Sequence, residues 1–315
     1  MGFEGLLGNE RVKENLRQSL QKGRASHFYL ICGPEGSGKR TLAKILSAAL
    51  MCEGVAQPCM DCEACRKVMA STHPDVITVT DPDHKNVPVK LVRQIREDMF
   101  IKPNEGKRKI YIFPQEMGIE GQNALLKVLE EPPGYGAFFL LADNPEKLLP
   151  TVRSRCVELS LTALPEELLR QELIKRFPAA SAEEIEAAAA QSGGYLGQAE
   201  QILRGNVQLE QQAKQFAEVF SKKDALGLLQ LLNSMEKGKR DQMIPVLEQW
   251  RQLLEQALAY RGGSQAVSPL ARSVSQARSS RELLAALRQL EKCIMYAQQN
   301  VSVAAICGYL QWALR

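Results

Sequence analysis

The first half of the chain alternates short apolar runs with segments of helical period, and this alternation restricts the fold more than any other feature. Apolar segments follow one another as HFYLICG, DVITVT, KIYIFP, AFFLLAD and CVELSL, at 27–33, 75–80, 109–114, 137–143 and 156–161. Between them, apolar residues recur at helical spacing, for example over 41–52, 89–100 and 121–131. Continuous apolar strands separated by helices predict an α/β domain whose parallel sheet is covered on both faces.

Strand signals stop after residue 162, and the rest of the chain predicts helices only. Residues 163–206 contain helix-length pieces separated by Pro, Ser and Gly. From 207 onward Leu, Gln, Ala and Glu recur at three-to-four spacing, with one break at 261–269. The 315 residues are enough for two or three domains. We therefore predict an α/β domain at 1–162, a small helical domain at 163–206 and an all-helical domain at 207–315.

A cluster of four cysteines predicts a metal site at about 52–65. Cys52, Cys59, Cys62 and Cys65 have the spacing C-x6-C-x2-C-x2-C. Four thiolates close a tetrahedral shell around zinc and leave no coordination position open, so a structural Zn²⁺ is expected. The alternatives are four unrelated thiols or a C-x2-C redox pair.

The segment GPEGSGKRT, at 33–41, follows the first apolar run and opens a helix, as phosphate-binding loops do. Backbone amides and the Lys39 ammonium are the expected phosphate ligands. The candidate nucleotide-binding residues are Gly33, Gly36, Ser37, Gly38, Lys39, Arg40 and Thr41. Arg40 stands where such loops carry a magnesium-binding hydroxyl, and Thr41 is one residue late, about 100° further around the helix. The loop either holds ATP or ADP without hydrolysing it or survives only as fold architecture.

A second magnesium anchor is also altered. The apolar run at 109–114 is followed by Gln115 and Glu116, whereas an Asp-Glu pair is needed to hold magnesium and orient water. The two changes are independent in sequence and both argue against hydrolysis by this chain.

These motifs together resemble the bacterial DNA polymerase III clamp loaders, a family of AAA+ proteins. The resemblance is carried by HFYLICGPEGSGK, the four-cysteine insert, GQNALLKVLEEPP, NPEKLLPTVRSRC and the helical second half. It extends over essentially the whole chain. It implies an AAA+ P-loop domain with a zinc-binding insert, a helical lid domain and a helical collar through which subunits assemble.

The resemblance also implies a site shared between neighbouring subunits. In this family ATP lies between two subunits, and the second one supplies the arginine of a Ser-Arg-Cys motif. That motif is Ser154, Arg155 and Cys156 in this chain, so Arg155 is the expected arginine finger, acting in trans. Arg153 stands beside it and is an alternative that the sequence leaves open.

Two further positions depart from the motor subunits of the family. Motors carry a nucleotide-sensing arginine on the lid, where this chain has Gln198. They also carry a polar sensor after the strand that ends here in Ala142 and Asp143. Together with the altered magnesium anchors, these departures imply a stator that gives a finger to its neighbour but does not hydrolyse ATP itself.

The expected function is thus to complete a neighbour's ATP site while the sliding clamp is loaded onto primer–template DNA. The implied partners are gamma/tau motor subunits and a delta subunit in a hetero-pentameric ring of the DNA polymerase III holoenzyme. A motor ATPase that holds magnesium through Thr41 or water is one alternative, and a zinc-bearing P-loop adaptor outside replication is another. Because the apolar runs are far shorter than the roughly 20 residues that span a bilayer, we expect a cytoplasmic chain with no membrane partner.

Overall fold

The computed structural model describes residues 2–236, 240–264, 267–299 and 301–314. The chain divides into two compact units, Met1–Leu203 and Arg204–Arg315. The strands of the first unit are β1 Phe28–Cys32, β2 Val76–Thr78, β3 Lys109–Phe113, β4 Gly136–Ala142 and β5 Val157–Ser160. Its helices are α1 Glu10–Gln21, α2 Lys39–Met51, α3 Glu63–Met69, α4 Val89–Asp98, α5 Ile119–Glu130, α6 Pro150–Arg153, α7 Glu166–Arg176 and α8 Ala182–Gln191.

The five strands form one sheet in the order β2-β3-β4-β1-β5, and every neighbouring pair is parallel. Every residue of β1, β3 and β4 is buried, which is what their continuous apolar sequences predict. Alternate side chains enter two different cores. Tyr29 and Ile31 of β1 pack into one of them, and Phe28 and Leu30 pack into the other. The predicted parallel sheet, covered on both faces, is confirmed.

A separate helical cluster follows the sheet. Leu169 and Leu173 of α7 pack with Ile185 of α8 and with Ala199 and Leu203. The last two residues lie in α9, which runs as one helix from Leu196 to Lys222. The predicted boundary between residues 206 and 207 therefore falls inside a continuous helix.

The second unit is all helical in its described residues, which confirms the predicted helical C-terminal region. Its further helices are α10 Ala225–Glu236, α11 Arg240–Arg261, α12 Pro269–Ala277, α13 Ser280–Gln298 and α14 Val303–Ala313. Trp250 is fully buried in the core and stacks on Phe216, with ring centroids 4.3 Å apart. The predicted break at 261–269 lies between α11 and α12, although residues 265–266 are outside the described residues. Across the described ranges, we find no helix with the length and apolar character required to cross a bilayer.

Candidate functional site

The glycine-rich loop connects β1 to α2 and has the backbone path of a phosphate cradle. Gly36 and Gly38 have positive φ values, 76° and 96°, which side-chain-bearing residues rarely adopt. A Cβ at Gly36 would also lie 2.4 Å from the backbone N of Gln198. Glycine is therefore required at this position both by the backbone angle and by the close approach of another segment.

The loop borders a cavity of about 500 Å³. Six of the seven predicted nucleotide-binding residues line it, as the run 36–41. Gly33 lies outside the lining, where its carbonyl accepts a hydrogen bond from Lys39. The remaining walls come from other parts of the first unit and include Leu7, Pro114, Asp143, Arg176, Tyr195 and Gln201. A volume of this size is in the range of ordinary small-molecule sites.

Lys39 is held by the chain's own acceptors. Its Nζ donates to the carbonyl oxygens of Gly33 and Pro34, at 2.5 Å and 2.8 Å. It also pairs with the Oδ1 atom of Asp143 at 2.7 Å. Asp143 follows β4 and Gly33 follows β1. Because these strands are parallel neighbours, their carboxyl ends meet at one edge of the sheet. Sequence analysis identified Asp143 only as a replaced sensor and missed this ion pair.

The first turn of α9 closes directly onto the phosphate loop. The backbone N–H of Gly197 donates to the carbonyl of Gly36 at 3.0 Å. Gln198 donates from Nε2 to the carbonyl of Glu35 at 2.9 Å, and Gln201 contacts the Glu35 carboxylate at 3.3 Å. Gln198, the residue at the expected lid-arginine position, thus binds the loop backbone through a neutral amide.

The two altered magnesium anchors have different surroundings. After β3, Gln115 exchanges hydrogen bonds with the backbone of Asp81, and Glu116 forms an ion pair of 2.6 Å with Lys147. Arg40 and Thr41 both line the cavity and are exposed. Thr41 reaches the cavity edge despite its shift of about 100° because the first turn of α2 opens into the cavity.

The groups around the loop fit a phosphate chain. The hydroxyl of Ser37 is buried and has no hydrogen-bond partner among the described residues. Helix α2 begins after Gly38 without a side-chain cap, so its first backbone N–H groups are available to an anion. With the Lys39 ammonium, the loop could hold the phosphates of ATP or ADP.

The Ser-Arg-Cys motif lies at the end of α6, on the surface. Arg155 donates from Nη1 to the carbonyl of Thr151 at 2.8 Å, and its Nη2 lies 3.0 Å from the Glu130 carboxylate. Arg153 pairs instead with Glu158 at 3.1 Å. Ser154 donates to the carbonyl of Thr151 at 3.2 Å. Both arginines are about two-fifths exposed, so exposure does not distinguish the two candidate fingers.

Gln122 supports this motif, and sequence analysis missed it. Its Nε2 atom donates to the carbonyls of Met117 and Lys147, at 3.0 Å and 3.2 Å, and its Oε1 accepts from the N–H of Leu149 at 2.7 Å. The buried amide thus ties α5 to the segment that leads into α6. The available signal was an amide on the apolar face of a helix.

The four predicted zinc ligands lie together. The sulfur atoms of Cys52, Cys59, Cys62 and Cys65 are all within 4.8 Å of one another, and all four are free thiols. Four sulfurs at about 2.3 Å from one zinc ion are about 3.8 Å apart in a tetrahedral shell. The cluster is therefore slightly wider than a closed zinc shell, and a small inward movement would complete it.

Backbone amides and burial act differently on these thiols. Hydrogen bonds from the backbone N–H groups of Cys62 and Asp61 lower the pKa of Cys59 to about 6. Burial raises the pKa of Cys52 and of Cys65. A bound cation would compensate the charge of the buried thiolates, which is why a metal fits this cluster.

Comparison with known proteins gives a family model and curated relatives that are named as DNA polymerase III subunits. The family described as DNA polymerase III, delta subunit, matches residues 8–165. DNA polymerase III subunit delta' of Pseudomonas aeruginosa is 37% identical over 180 residues, which cover 55% of this chain and 55% of that protein. DNA polymerase III subunit tau of Bacillus subtilis is 36% identical over 158 residues, which cover 49% of this chain and 28% of that protein.

The chain thus spans about half of the delta' relative and about a quarter of the tau relative. Among solved structures, a DNA polymerase III gamma subunit-related protein of Thermotoga maritima aligns over 96% of this chain and 99% of that chain, with 20% identity and a TM-score of 0.41.

Proposed function

The chain belongs to the DNA polymerase III delta subunit family, whose model matches just over half of it, and we propose that it is a delta-prime-type stator of a replicative clamp loader. In this role it hydrolyses no ATP itself. It completes the ATP site of a neighbouring gamma/tau motor subunit while the ring, with a delta subunit, loads the sliding clamp onto primed DNA. It thereby serves the DNA polymerase III holoenzyme.

The observation that carries this proposal is the state of the residues that follow β3. A hydrolytic P-loop site needs a carboxylate there to hold magnesium and orient water. In this chain Gln115 is bound to the loop at Asp81, and the Glu116 carboxylate is neutralised by Lys147. Arg40 replaces the hydroxyl that would be the other magnesium ligand. Two independent changes therefore remove the metal anchors while the phosphate loop persists.

Arg155 is the group that the chain offers to its neighbour. Among the described residues, the bonds to Thr151 and Glu130 use two of the five guanidinium N–H groups of Arg155. The other three are available to another molecule. Holding the side chain from both sides reduces the rotamer entropy that is lost when it meets a phosphate. A positioned guanidinium stabilises charge on the transferred phosphoryl group and accelerates transfer by about 10³ to 10⁵ where such fingers act.

The zinc cluster is proposed to be structural. Cys52, Cys59, Cys62 and Cys65 would hold Zn²⁺ and cross-link the end of α2 to the start of α3. Four thiolate ligands leave the ion no open position for a substrate, so it supplies stability rather than chemistry.

The first experiment measures ATP hydrolysis by the purified chain. We expect no turnover above the background set by Lys39→Ala. Turnover that Lys39→Ala abolishes would show a motor rather than a stator. The position of Thr41 in the cavity lining is the observation that favours a motor ATPase as the second candidate function. In that case Thr41→Ala should remove the magnesium dependence of nucleotide binding.

The second experiment tests the finger in the reconstituted complex with the cognate motor and delta subunits, clamp and primed DNA. Arg155→Ala should leave assembly intact and reduce the stimulated ATPase by at least about tenfold. Arg153→Ala is the matched control, since it removes an arginine of similar exposure two residues away and should retain most of the activity. The opposite ranking would assign the finger to Arg153, and full activity in both variants would contradict the proposal. If this chain forms no complex with those subunits, an adaptor outside replication becomes the better account.

A further inference from the structure

Asp143 occupies the position in which a bound phosphate would be expected to meet Lys39. An ammonium group has three N–H donors, and the contacts to Gly33, Pro34 and Asp143 engage all three. The Lys39 side chain is only 12% exposed, whereas the Asp143 side chain is 59% exposed. Asp143 is therefore the more exposed partner of a largely buried lysine, and both residues line the cavity.

We propose that Asp143 is a tethered anion that competes with phosphate for Lys39 and thereby keeps the loop from binding nucleotide tightly. The inference rests on the proposed interpretation of the cavity as a nucleotide site. The role of Asp143 is separate from the loss of the magnesium anchors, because a pocket without magnesium could still bind a diphosphate through its backbone amides and its lysine.

Two features make Asp143 effective in this role. It immediately follows β4, whose last residue Ala142 lies opposite Cys32 at the end of β1, so the sheet itself fixes the spacing between carboxylate and loop. The competitor is also part of the chain and present at high local concentration, whereas a free phosphate must be drawn from solution. A phosphate that displaces Asp143 from Lys39 would, in addition, lie close to a carboxylate of the same charge.

The loop meanwhile retains unused capacity for an anion. The Ser37 hydroxyl is buried without a hydrogen-bond partner in the described chain, and the first turn of α2 has no side-chain cap. The cavity beside the loop has a volume of about 500 Å³. Releasing Lys39 from Asp143 should therefore uncover a binding site that is otherwise formed.

The test is calorimetric titration of the purified chain with ADP and with inorganic pyrophosphate at physiological ionic strength. Asp143→Asn removes the charge and keeps the shape of the side chain, and Asp143→Ser removes the charge in a smaller side chain. Both variants should bind either ligand at least about tenfold more tightly than the wild type. In the Lys39→Ala background the same substitutions should give a clearly smaller gain, since no ammonium is left to release and only the repulsion between the Asp143 carboxylate and the phosphate is relieved.

Glu146→Gln is the matched control, because it removes one negative charge three residues away, at an exposed position of the first unit. It should bind as the wild type does. The proposal is overturned if Asp143→Asn and Asp143→Ser bind within twofold of the wild type, if no variant binds either ligand, or if Glu146→Gln gives an equal gain. Because the readout is affinity, ATP turnover by the wild type would contradict the stator role without deciding the role of Asp143.

Discussion

Asp75 carries the most demanding prediction about stability, because a fully buried carboxylate binds an entire turn of backbone. Its two oxygens accept hydrogen bonds from the N–H groups of Asn104, Glu105 and Gly106, at 2.6, 2.9 and 2.8 Å. Burial alone would raise the pKa of Asp75, but these three bonds hold it below the usual range of a carboxyl group. The turn also reaches the cysteine cluster's helix α3, since Glu105 pairs with Lys67.

The substitution Asp75→Asn keeps the size of the side chain and removes its charge. A hydrogen bond to a charged acceptor contributes about 1.5–3 kcal/mol and a neutral one about 1 kcal/mol, so weakening three of them is substantial. The new NH2 group would replace one of the two accepting oxygens and leave at least one of the three backbone N–H donors unsatisfied, since the oxygen that remains faces either Asn104 or the Glu105–Gly106 pair. Relief of the desolvation cost of the carboxylate offsets part of this loss. We expect the free energy of unfolding of the first unit to fall by about 2–4 kcal/mol.

The pH dependence follows from the direction of the pKa shift. Because the folded pKa of Asp75 is depressed, its contribution is complete above the unfolded value of about 3.9 and is lost as the pH falls through the folded pKa. The stability difference between the wild type and Asp75→Asn should therefore be constant near neutral pH and shrink below about pH 4.

Hydrogen exchange at the three amides of the turn is the direct assay, with urea unfolding as the global one. Opening that is easier by 2–4 kcal/mol corresponds to exchange that is faster by about 30-fold to 1000-fold at Asn104, Glu105 and Gly106. Asp83→Asn, which changes an exposed aspartate, should shift stability by less than about 0.5 kcal/mol. Unchanged exchange in Asp75→Asn, or a stability difference that persists undiminished at strongly acidic pH, would refute the assigned role of the carboxylate.

Two further predictions concern the metal cluster and the closure of the lid helix. The purified chain should contain about one equivalent of zinc, and Cys59→Ser should lose the metal. Cys156→Ser is the control, because it changes a half-buried cysteine outside the cluster and should retain the zinc. Metal analysis of the folded proteins measures this, and a folded wild type that contains no metal would exclude a zinc site. A Cβ at residue 197 would lie 2.6 Å from the Cα of Gly36. Gly197→Ala should therefore push the first turn of α9 off the loop and lower the free energy of unfolding by about 1–3 kcal/mol. Gly205→Ala is the control, because it lies in the same helix with open space around it and should be neutral or stabilising. Thermal unfolding compares the two variants, and equal midpoints would argue against the tight contact.

The elements that sequence analysis located correctly are those whose signal is local. Strands β1, β3 and β4 are continuous apolar runs, and full burial on both faces is the condition that makes such runs favourable. The cysteine cluster was also predicted, because its ligands lie within one short segment and their spacing alone brings the thiols together. The boundary at 206/207 stays a prediction, and it crosses α9, where Gly205 lies inside the helix and does not end it.

The contacts that sequence analysis missed depend on tertiary structure. Lys39 and Asp143 are 104 residues apart, and Gln198 and Glu35 are 163 residues apart, so no local pattern relates them. The first contact follows once the sheet order is known, because that order places the ends of β1 and β4 side by side. The second depends on how the first turn of α9 packs against the loop. The amide of Gln122 has an ordinary helical sequence around it, and its three partners become apparent only when α5 is packed beside α6.

The contact between Gly36 and Gly197 has a consequence for how sequences of this kind can diverge. Each residue lacks a side chain where the other's backbone lies, so neither can gain a Cβ while its partner remains in place. A substitution at Gly197 becomes tolerable only after the helix has moved away, whereas Gly36 keeps a second constraint, its positive φ. Across relatives with the same loop, position 36 should therefore stay glycine more often than position 197, and a side chain at 36 should occur only where 197 is also free to vary; such a one-sided correlation can be sought in alignments without purifying any protein.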